Sequence, residues 1–220
     1  MPTGESVLFD KMERLLYSPV ISDALDEVGI RNHTLNRLIK PLNQKTVLAG
    51  RAMTIVISEK YEVVDDPYKM TIEALDSIKP DQVPVLATNN NTSTALWGEL
   101  LSTASRARGA RGTIIDGMSR DTRKILEMKY KVFCTGMMPT DSKGRAEFVS
   151  YNRPIRSGDT PIEPGDIVFG DLDGVVVVPK SVANDVLDLS FEKASKENVI
   201  REELLRGSLL REAWAKHKML

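Results

Sequence analysis

Four consecutive valines, Val175 to Val178, stopped by Pro179, constrain the fold more than any other stretch of this chain. A strand with one wet face alternates apolar and polar residues, because successive side chains point to opposite faces. An unbroken valine run puts apolar groups on both faces, so its strand belongs to a sheet covered on both sides. Further strands are expected at Val47 to Ile57 around Gly50, Val83 to Ala87, Thr113 to Ile115, Val132 to Phe133, Ala146 to Tyr151 and Ile167 to Phe169. Asn89-Asn90-Asn91 reads as a polar turn after the second of these. Helical periodicity separates the strands. It covers Phe9 to Val28 with a break at Ser18-Pro19, the second piece running from Ile21 to Val28, ending at Gly29 and capped by Ser22 or Ser18. It returns over Pro67 to Ile78 (closed by Lys79-Pro80), Trp97 to Arg108 (ended by Gly109), Asp121 to Met128, and one long helix from about Val182 to Arg206. Gly207 interrupts that helix before a short tail. With no internal repeat and no dividing linker, residues 1–220 read as one mixed α/β domain whose middle third is richer in β.

The 220 residues suffice for one sizeable core. Acidic and basic residues nearly cancel, 31 against 30, so no global field favours nucleic acid or an acidic membrane surface. The single cysteine, Cys134, excludes an internal disulfide framework and fits a reducing compartment. With only two histidines, His33 and His217, a cysteine–histidine nucleophile has little to draw on, and Cys134 reads as a small core residue beside Phe133. No apolar run approaches the ~20 residues that span a bilayer, and no secretion signal opens the chain. The expectation is a soluble, cytoplasmic protein. P-loop, G-x-G-x-x-G, zinc-type and G-x-S-x-G motifs are all missing.

Chemistry concentrates between Trp97 and Asp121. Gly98 and Glu99 stand at a helix start, where unpaired N–H groups make an anion site; alternatively Glu99 only complements the helix dipole. Asp116-Gly117 reads as a tight turn after a strand. Ser119, Arg120 and Asp121 open the next helix. An arginine gains nothing from the positive end of a helix dipole, so Arg120 points to an anionic partner. Two carboxylates at neighbouring helix starts, with a guanidinium between them, are the parts that hold a divalent metal beside an anionic substrate. Arg145, on a loop, meets either a second substrate carboxylate or only water. The loop from Gly136 to Asn152 is expected near the site, where it would set specificity. Asp171 and Asp173 flank Leu172 in a turn without the rest of a calcium loop, and read as structural.

The long C-terminal helix carries one anomaly. At ~100° per residue, the stripe of Val182, Val186, Leu189, Ser190, Ile200 and Leu204 is centred close to Glu197. A carboxylate on an apolar face must be neutral, paired or bound to a cation. Lys193 one turn away is a possible partner; another subunit's site is a second.

W-G-E-L-L, G-A-R-G-T-I-I-D-G, S-R-D and P-G-D-I-V-F-G-D-L-D-G-V-V-V-V-P, in this order, resemble the class II pyruvate aldolase family. That family includes 4-hydroxy-4-methyl-2-oxoglutarate/4-carboxy-4-hydroxy-2-oxoadipate aldolase and the regulator of ribonuclease E activity A. V-I-S-D-A-L-D-E-V-G and L-A-G-R-A-M-T are similar to it too, so the resemblance runs from about Val20 to Gly207. It implies a single-domain three-layer β/β/α swivelling-domain fold, assembled as a ring-shaped trimer, sometimes doubled to a hexamer, with active sites between subunits. The C-terminal helix (about 182–206) would pack at the subunit interface. It also implies a metal-dependent lyase that cleaves a 4-hydroxy-2-oxo acid to pyruvate by retro-aldol reaction, with possible oxaloacetate decarboxylation. Asp121 would be the direct ligand of Mg2+ or Mn2+, and Arg120 the substrate-binding arginine. Glu99 would hold metal-bound water, and the amides of Glu99, Leu100 and Leu101, after Gly98, would grip the substrate carboxylate. Glu197 of an adjacent subunit, or else Glu192 or Glu202, would complete the site. The competing reading is a non-catalytic regulator that binds a ribonuclease.

Overall fold

A computed structural model describes residues 4–218. The chain begins with α1 (Gly4–Leu15) and α2 (Ser18–Glu27). The second helix starts three residues earlier than the sequence suggests. Pro19 lies in its first turn, where an N–H has no intrahelical acceptor to lose and the fixed φ suits a helix. Neither serine caps it. The N-cap is Tyr17, without a side-chain bond. Ser18 instead donates its N–H and its hydroxyl to the Asp171 carboxylate, both at 2.7 Å, and the Ser22 hydroxyl pairs with His33 Nε2 at 2.8 Å. Gly29, with φ of 82°, ends the helix in the left-handed conformation that glycine adopts without steric cost.

The remaining elements are β1 (Lys40–Pro41), β2 (Leu48–Glu59), α3 (Lys69–Asp76), β3 (Gln82–Trp97), α4 (Glu99–Ala107), β4 (Thr113–Ser119), α5 (Thr122–Glu127), β5 (Val132–Cys134), β6 (Gly136–Met137), β7 (Ala146–Tyr151), β8 (Ile155–Ser157), β9 (Thr160–Ile162), β10 (Ile167–Gly170), β11 (Val175–Val178), α6 (Ala183–Leu205) and α7 (Leu210–His217). The main sheet runs β1-β5-β4-β3-β2-β10-β11, with β6 beside β4 and β7 beside β2; β8 and β9 form a separate hairpin. Strands β2, β3, β4 and β5 are parallel neighbours, whereas β10 and β11 join antiparallel.

One segment ties down both ends of this order. Lys40 and Pro41 pair with β5. A few residues earlier, Leu35 N–H donates to Val175 O at 2.9 Å, and His33 O accepts from Val177 N–H at 2.8 Å. The sheet therefore curls into a near-barrel, which covers both of its edges. Its interior holds Val175 and Val177 with Leu48, Val85, Ile114 and Phe133. Val176 and Val178 point outward, under Phe9, Met12, Ile21 and Val186 of α1, α2 and α6. The valine run is buried on both faces, as its sequence requires. A third cluster joins Ala74 and Leu75 of α3 to Trp97, Ile125 and Phe148 on the outer side. The result is a mixed α/β fold in which sheet faces sheet across one core and helices cover the outside.

Four local expectations need correction. Asn89-Asn90-Asn91 is not a turn that ends a strand. Asn89 and Asn90 take φ of 55° and 58° inside β3, where the pairing with β4 shifts register between Leu86 and Asn91; asparagine tolerates that left-handed region better than most residues. Trp97 closes β3 rather than opening a helix. Asp116 and Gly117 lie within β4, not in a turn. Beyond Gly207, residues 210–217 form a helix, where a tail was expected. Among the described residues no helix is long and apolar enough to cross a membrane.

Candidate functional site

Strands β3 and β4 are parallel neighbours, so both deliver their C-terminal ends to the same edge of the sheet. Each is followed by a helix start. After β3 come Gly98, the N-cap of α4, and Glu99. After β4 come Arg120 and Asp121, the N-cap of α5. Ends of adjacent parallel strands are where open α/β sheets place ligands, and here the Arg120 N–H donates to Trp97 O at 2.8 Å, fastening one junction to the other.

Asp121 holds φ of 55° and ψ of 27°. A left-handed conformation costs an ordinary residue roughly 1–2 kcal/mol, with aspartate among the more tolerant. That backbone turns the carboxylate back toward α4, where Oδ2 accepts the Glu99 N–H at 3.1 Å. Gly98 makes room for it. A Cβ at position 98 would lie 2.6 Å from Asp121 Oδ2 and 3.2 Å from Arg120 Cγ. Gly98 itself is extended, with φ of −153°, so space rather than backbone freedom demands glycine here. Leu100 and Leu101 follow in the first turn of α4, where helix geometry leaves N–H groups without an intrahelical acceptor; Gly98 has no side chain to cap this terminus, and the Asp121 carboxylate takes the Glu99 N–H in its place.

The Arg120 guanidinium is held between two acids. Nε lies 3.8 Å from Asp121 Oδ2 and Nη1 2.9 Å from Asp141 Oδ1. Tyr68 donates its hydroxyl to the other Asp141 oxygen at 3.2 Å; burial, then the Asp141 charge, raise the Tyr68 phenol above its usual value. A cleft of about 390 Å3 opens at these groups, lined also by Ile72, Trp97, Leu100, Leu101 and Phe148. Arg120 and Asp121 also face a smaller neighbouring cleft beside Met137, Met138 and Pro139. The loop after β6 thus does lie against the site. Its Asp141 and the α3-side Tyr68 were not singled out in the sequence, although Asp141 stands in the polar loop expected there. Arg145 braces that loop by donating to Asp141 O at 3.0 Å and does not line the cleft.

Two expected acids lie elsewhere within this chain. The Glu99 carboxylate accepts the Thr103 hydroxyl at 3.0 Å and lines a groove between α4 and α5 with Arg106, Lys124 and Glu127. Its amide, not its side chain, meets Asp121. Glu197 sits on α6 against α2, where it accepts the Tyr17 hydroxyl. Lys193 is paired with Glu27 at 2.6 Å instead. Glu192 and Glu202 are engaged by Lys196 and Arg206, and none of the three glutamates lines the cleft.

Among the described residues no group of three or more histidine, cysteine or acidic side chains is placed to cage a metal. The donor set still fits one kind of ion. Mg2+ and similar hard cations are commonly held by one or two carboxylates and complete their shell with water and substrate oxygens. Asp121, with 42% of its side chain exposed and one oxygen fixed by a backbone N–H, offers such a carboxylate at a cleft mouth.

The RraA-like family (Aldolase/RraA) matches residues 18–177. The chain belongs to the RraA-like family. Its relatives span both readings of the sequence. A protein of Halalkalibacterium halodurans, named "Putative 4-hydroxy-4-methyl-2-oxoglutarate aldolase", is 30% identical over 90% of this chain and 88% of its own length. Protein DlpA of Legionella pneumophila is 31% identical over 89% of this chain, which spans only 31% of that longer protein. The crystal structure of Streptomyces coelicolor RraAS2, described as an unusual member of the RNase ES inhibitor RraA protein family, superposes with a TM-score of 0.82. It is 28% identical, covering 92% of this chain and all of that one.

Proposed function

We propose that this RraA-like protein is a divalent-metal-dependent carbon–carbon lyase, cleaving a 4-hydroxy-2-oxo acid by retro-aldol reaction to pyruvate and a carbonyl product, with oxaloacetate decarboxylation as a side activity. One arrangement carries the reading. Arg120, the Asp121 carboxylate and the first-turn amides of α4 converge on one cleft. Relatives named as aldolases support it.

The substrate carboxylate would lie at the N–H groups of Leu100 and Leu101, where the α4 dipole favours an anion. The Glu99 amide is already taken by Asp121. Mg2+ or Mn2+ held by Asp121 would supply Lewis-acid polarisation of the 2-oxo group. In the cleavage the 4-hydroxyl gives up its proton, the C3–C4 bond breaks, and its electron pair passes into the pyruvate enolate. Arg120, fixed in advance by Asp141, neutralises the charge that develops on the enolate oxygen, and such preorganisation is where most of the gain arises. Protonation at C3 then yields pyruvate. Glu99 takes part as a water-holding acid only after its side chain leaves Thr103, a rotation about its own χ angles. The assembly belongs to the same proposal: a cytoplasmic ring-shaped trimer or hexamer in which Glu197 of a neighbouring copy reaches the cleft. Exposed Leu100 and Ile72, which line it, and Met137 at the neighbouring cleft are the kind of apolar surface that a subunit contact covers.

Incubating the purified protein with Mg2+ and a 4-hydroxy-2-oxo acid or oxaloacetate, and following pyruvate release, tests the reading. Asp121→Ala and Arg120→Ala should abolish release while circular dichroism and oligomeric state are kept; full activity in Arg120→Ala would sink the mechanism. The likeness to RraAS2 favours a second reading, a non-catalytic regulator that binds a ribonuclease. Retention of such an enzyme on the immobilised protein, with no pyruvate formed from any substrate, would decide for it.

A further inference from the structure

A retro-aldol cleavage takes a proton off the 4-hydroxyl as the C3–C4 bond breaks and puts a proton onto C3 of the enolate. The chemistry demands a carrier for each transfer. Besides Arg120 and Asp121, the titratable groups in the cleft lining of one protomer are Tyr68 and Asp141. They touch. The Tyr68 hydroxyl donates to Asp141 Oδ2 at 3.2 Å, while Asp141 Oδ1 meets Arg120 Nη1 at 2.9 Å. Backbone sets both in place. Tyr68 is the N-cap of α3, and Asp141 bridges to Ala95 of β3, whose N–H donates to Thr140 O at 2.9 Å. Neither is sunk in the core, with 41% of Tyr68 and 35% of the Asp141 side chain exposed. Bracing Arg120 uses Oδ1 alone, whereas Oδ2 carries a phenol that a brace does not require.

Resting on the retro-aldol reading, we propose that Tyr68 and Asp141 form a proton relay, in which Tyr68 is the catalytic acid that protonates C3. The Asp141 carboxylate takes the proton of the 4-hydroxyl as the C3–C4 bond breaks. The phenol gives its own proton to C3, and the phenolic oxygen regains one from Asp141. The proton lost at the hydroxyl is thereby replaced at C3, and both side chains return to the state seen in the structure. In oxaloacetate decarboxylation no hydroxyl proton is released, and water at the exposed Asp141 supplies it instead. The charges move in step. As Asp141 is neutralised, Arg120 loses its counter-ion while negative charge builds on the enolate oxygen, so the guanidinium passes from one anion to the next. Burial and the Asp141 charge hold the phenol above its usual value, which keeps the donor protonated until it is needed.

Run backward, the relay exchanges the methyl protons of pyruvate with solvent. C3–H passes to the phenolic oxygen while the phenol passes its proton to Asp141, and no carbon–carbon bond is made or broken. Incubating the purified protein with Mg2+ and pyruvate in D2O, followed by proton NMR, reads this step alone. The wild type should exchange the methyl protons. Tyr68→Phe, which removes only the hydroxyl, should exchange about a hundredfold or more slowly, with pyruvate binding by calorimetry unchanged. Asp141→Asn should lose exchange to a similar degree and still bind pyruvate. Exchange by Tyr68→Phe at the wild-type rate overturns the relay and leaves the aldolase reading standing. Weaker pyruvate binding in Asp141→Asn, with exchange at saturating pyruvate unchanged, overturns the part given to Asp141 and makes it a brace for Arg120. A wild type that neither exchanges nor releases pyruvate from a 4-hydroxy-2-oxo acid removes the aldolase reading, and the relay with it.

Discussion

At Gly98 the missing Cβ is what lets the Asp121 carboxylate reach the first turn of α4. Gly98→Ala would bring a methyl to 2.6 Å from Asp121 Oδ2. The atom that must yield is the end of a side chain, not backbone, so the fold should survive while the site shifts. We expect kcat/KM for pyruvate release to fall about a hundredfold, the scale of a displaced catalytic group, with a thermal midpoint close to wild type. Asp121→Asn separates charge from shape. Asparagine keeps the left-handed backbone and an oxygen for the Glu99 N–H, so urea stability should change by less than about 0.5 kcal/mol while activity disappears. An active Asp121→Asn protein would remove Asp121 from the metal. The sequence made Arg120 and Asp121 visible because an arginine set against a helix dipole has no local explanation. Asp141 was invisible as an individual because its partners come from other elements. Asp116-Gly117 misled in the opposite direction. The usual turn signal is overridden because Ser157 donates to Asp116 Oδ2 at 3.1 Å and the Thr88 hydroxyl donates to Asp116 O, which lets β4 continue. Burial leaves Oδ1 without a partner and raises the Asp116 carboxyl above its usual range.

The valine strand β11 shows what a run of one residue type can say about an element. Val175 and Val177 face the barrel interior and Val176 and Val178 face α2 and α6. Valine to threonine keeps the shape and adds a hydroxyl that must find a partner. Each of the four substitutions should cost about 1–3 kcal/mol by urea unfolding. A strand with one wet face would show the cost at alternate positions only, so two neutral substitutions in the series would refute double-sided burial. Helix α6 was legible in the same way, through its apolar stripe. Within the chain, Glu197 on that stripe accepts the hydroxyl of Tyr17, the N-cap of α2. Helix α7 was not legible, since Gly207 with φ of 98° marks a true stop. The restart depends on Glu212 accepting the Leu209 N–H at 3.1 Å and on burial of Ala213, neither of which periodicity records over so short a stretch.

Closure of the sheet belongs to the whole molecule and had no signature in the sequence, because residues 33–41 join strands that lie far away along the chain. Closure is also what makes the interior dry enough to hold protons. Burial pushes the Cys134 thiol up to about 11 and raises the Tyr130 phenol as well. At the α2–α6 contact, burial followed by the Glu197 carboxylate pushes Tyr17 up to about 12. In the unfolded chain the thiol ionises near 9.0 and the phenols near 10.0. Above about pH 9 the native state therefore binds more protons than the unfolded state, and linkage requires stability to fall as pH rises. The contribution is fully present below pH 9 and is lost progressively as the pH approaches the folded values. Urea midpoints measured at intervals from pH 7 to 11 should stay level to about pH 9 and then decline. Cys134→Ala should delay the onset to about pH 10, where the tyrosines begin to count. Tyr130→Phe, which gives up the 3.0 Å contact with the Thr113 hydroxyl, should lower stability at neutral pH but flatten the alkaline slope. A midpoint that stays level through pH 11 in the wild type would show that these three groups ionise in the fold as they do in water, and that the interior is wetter than its packing implies.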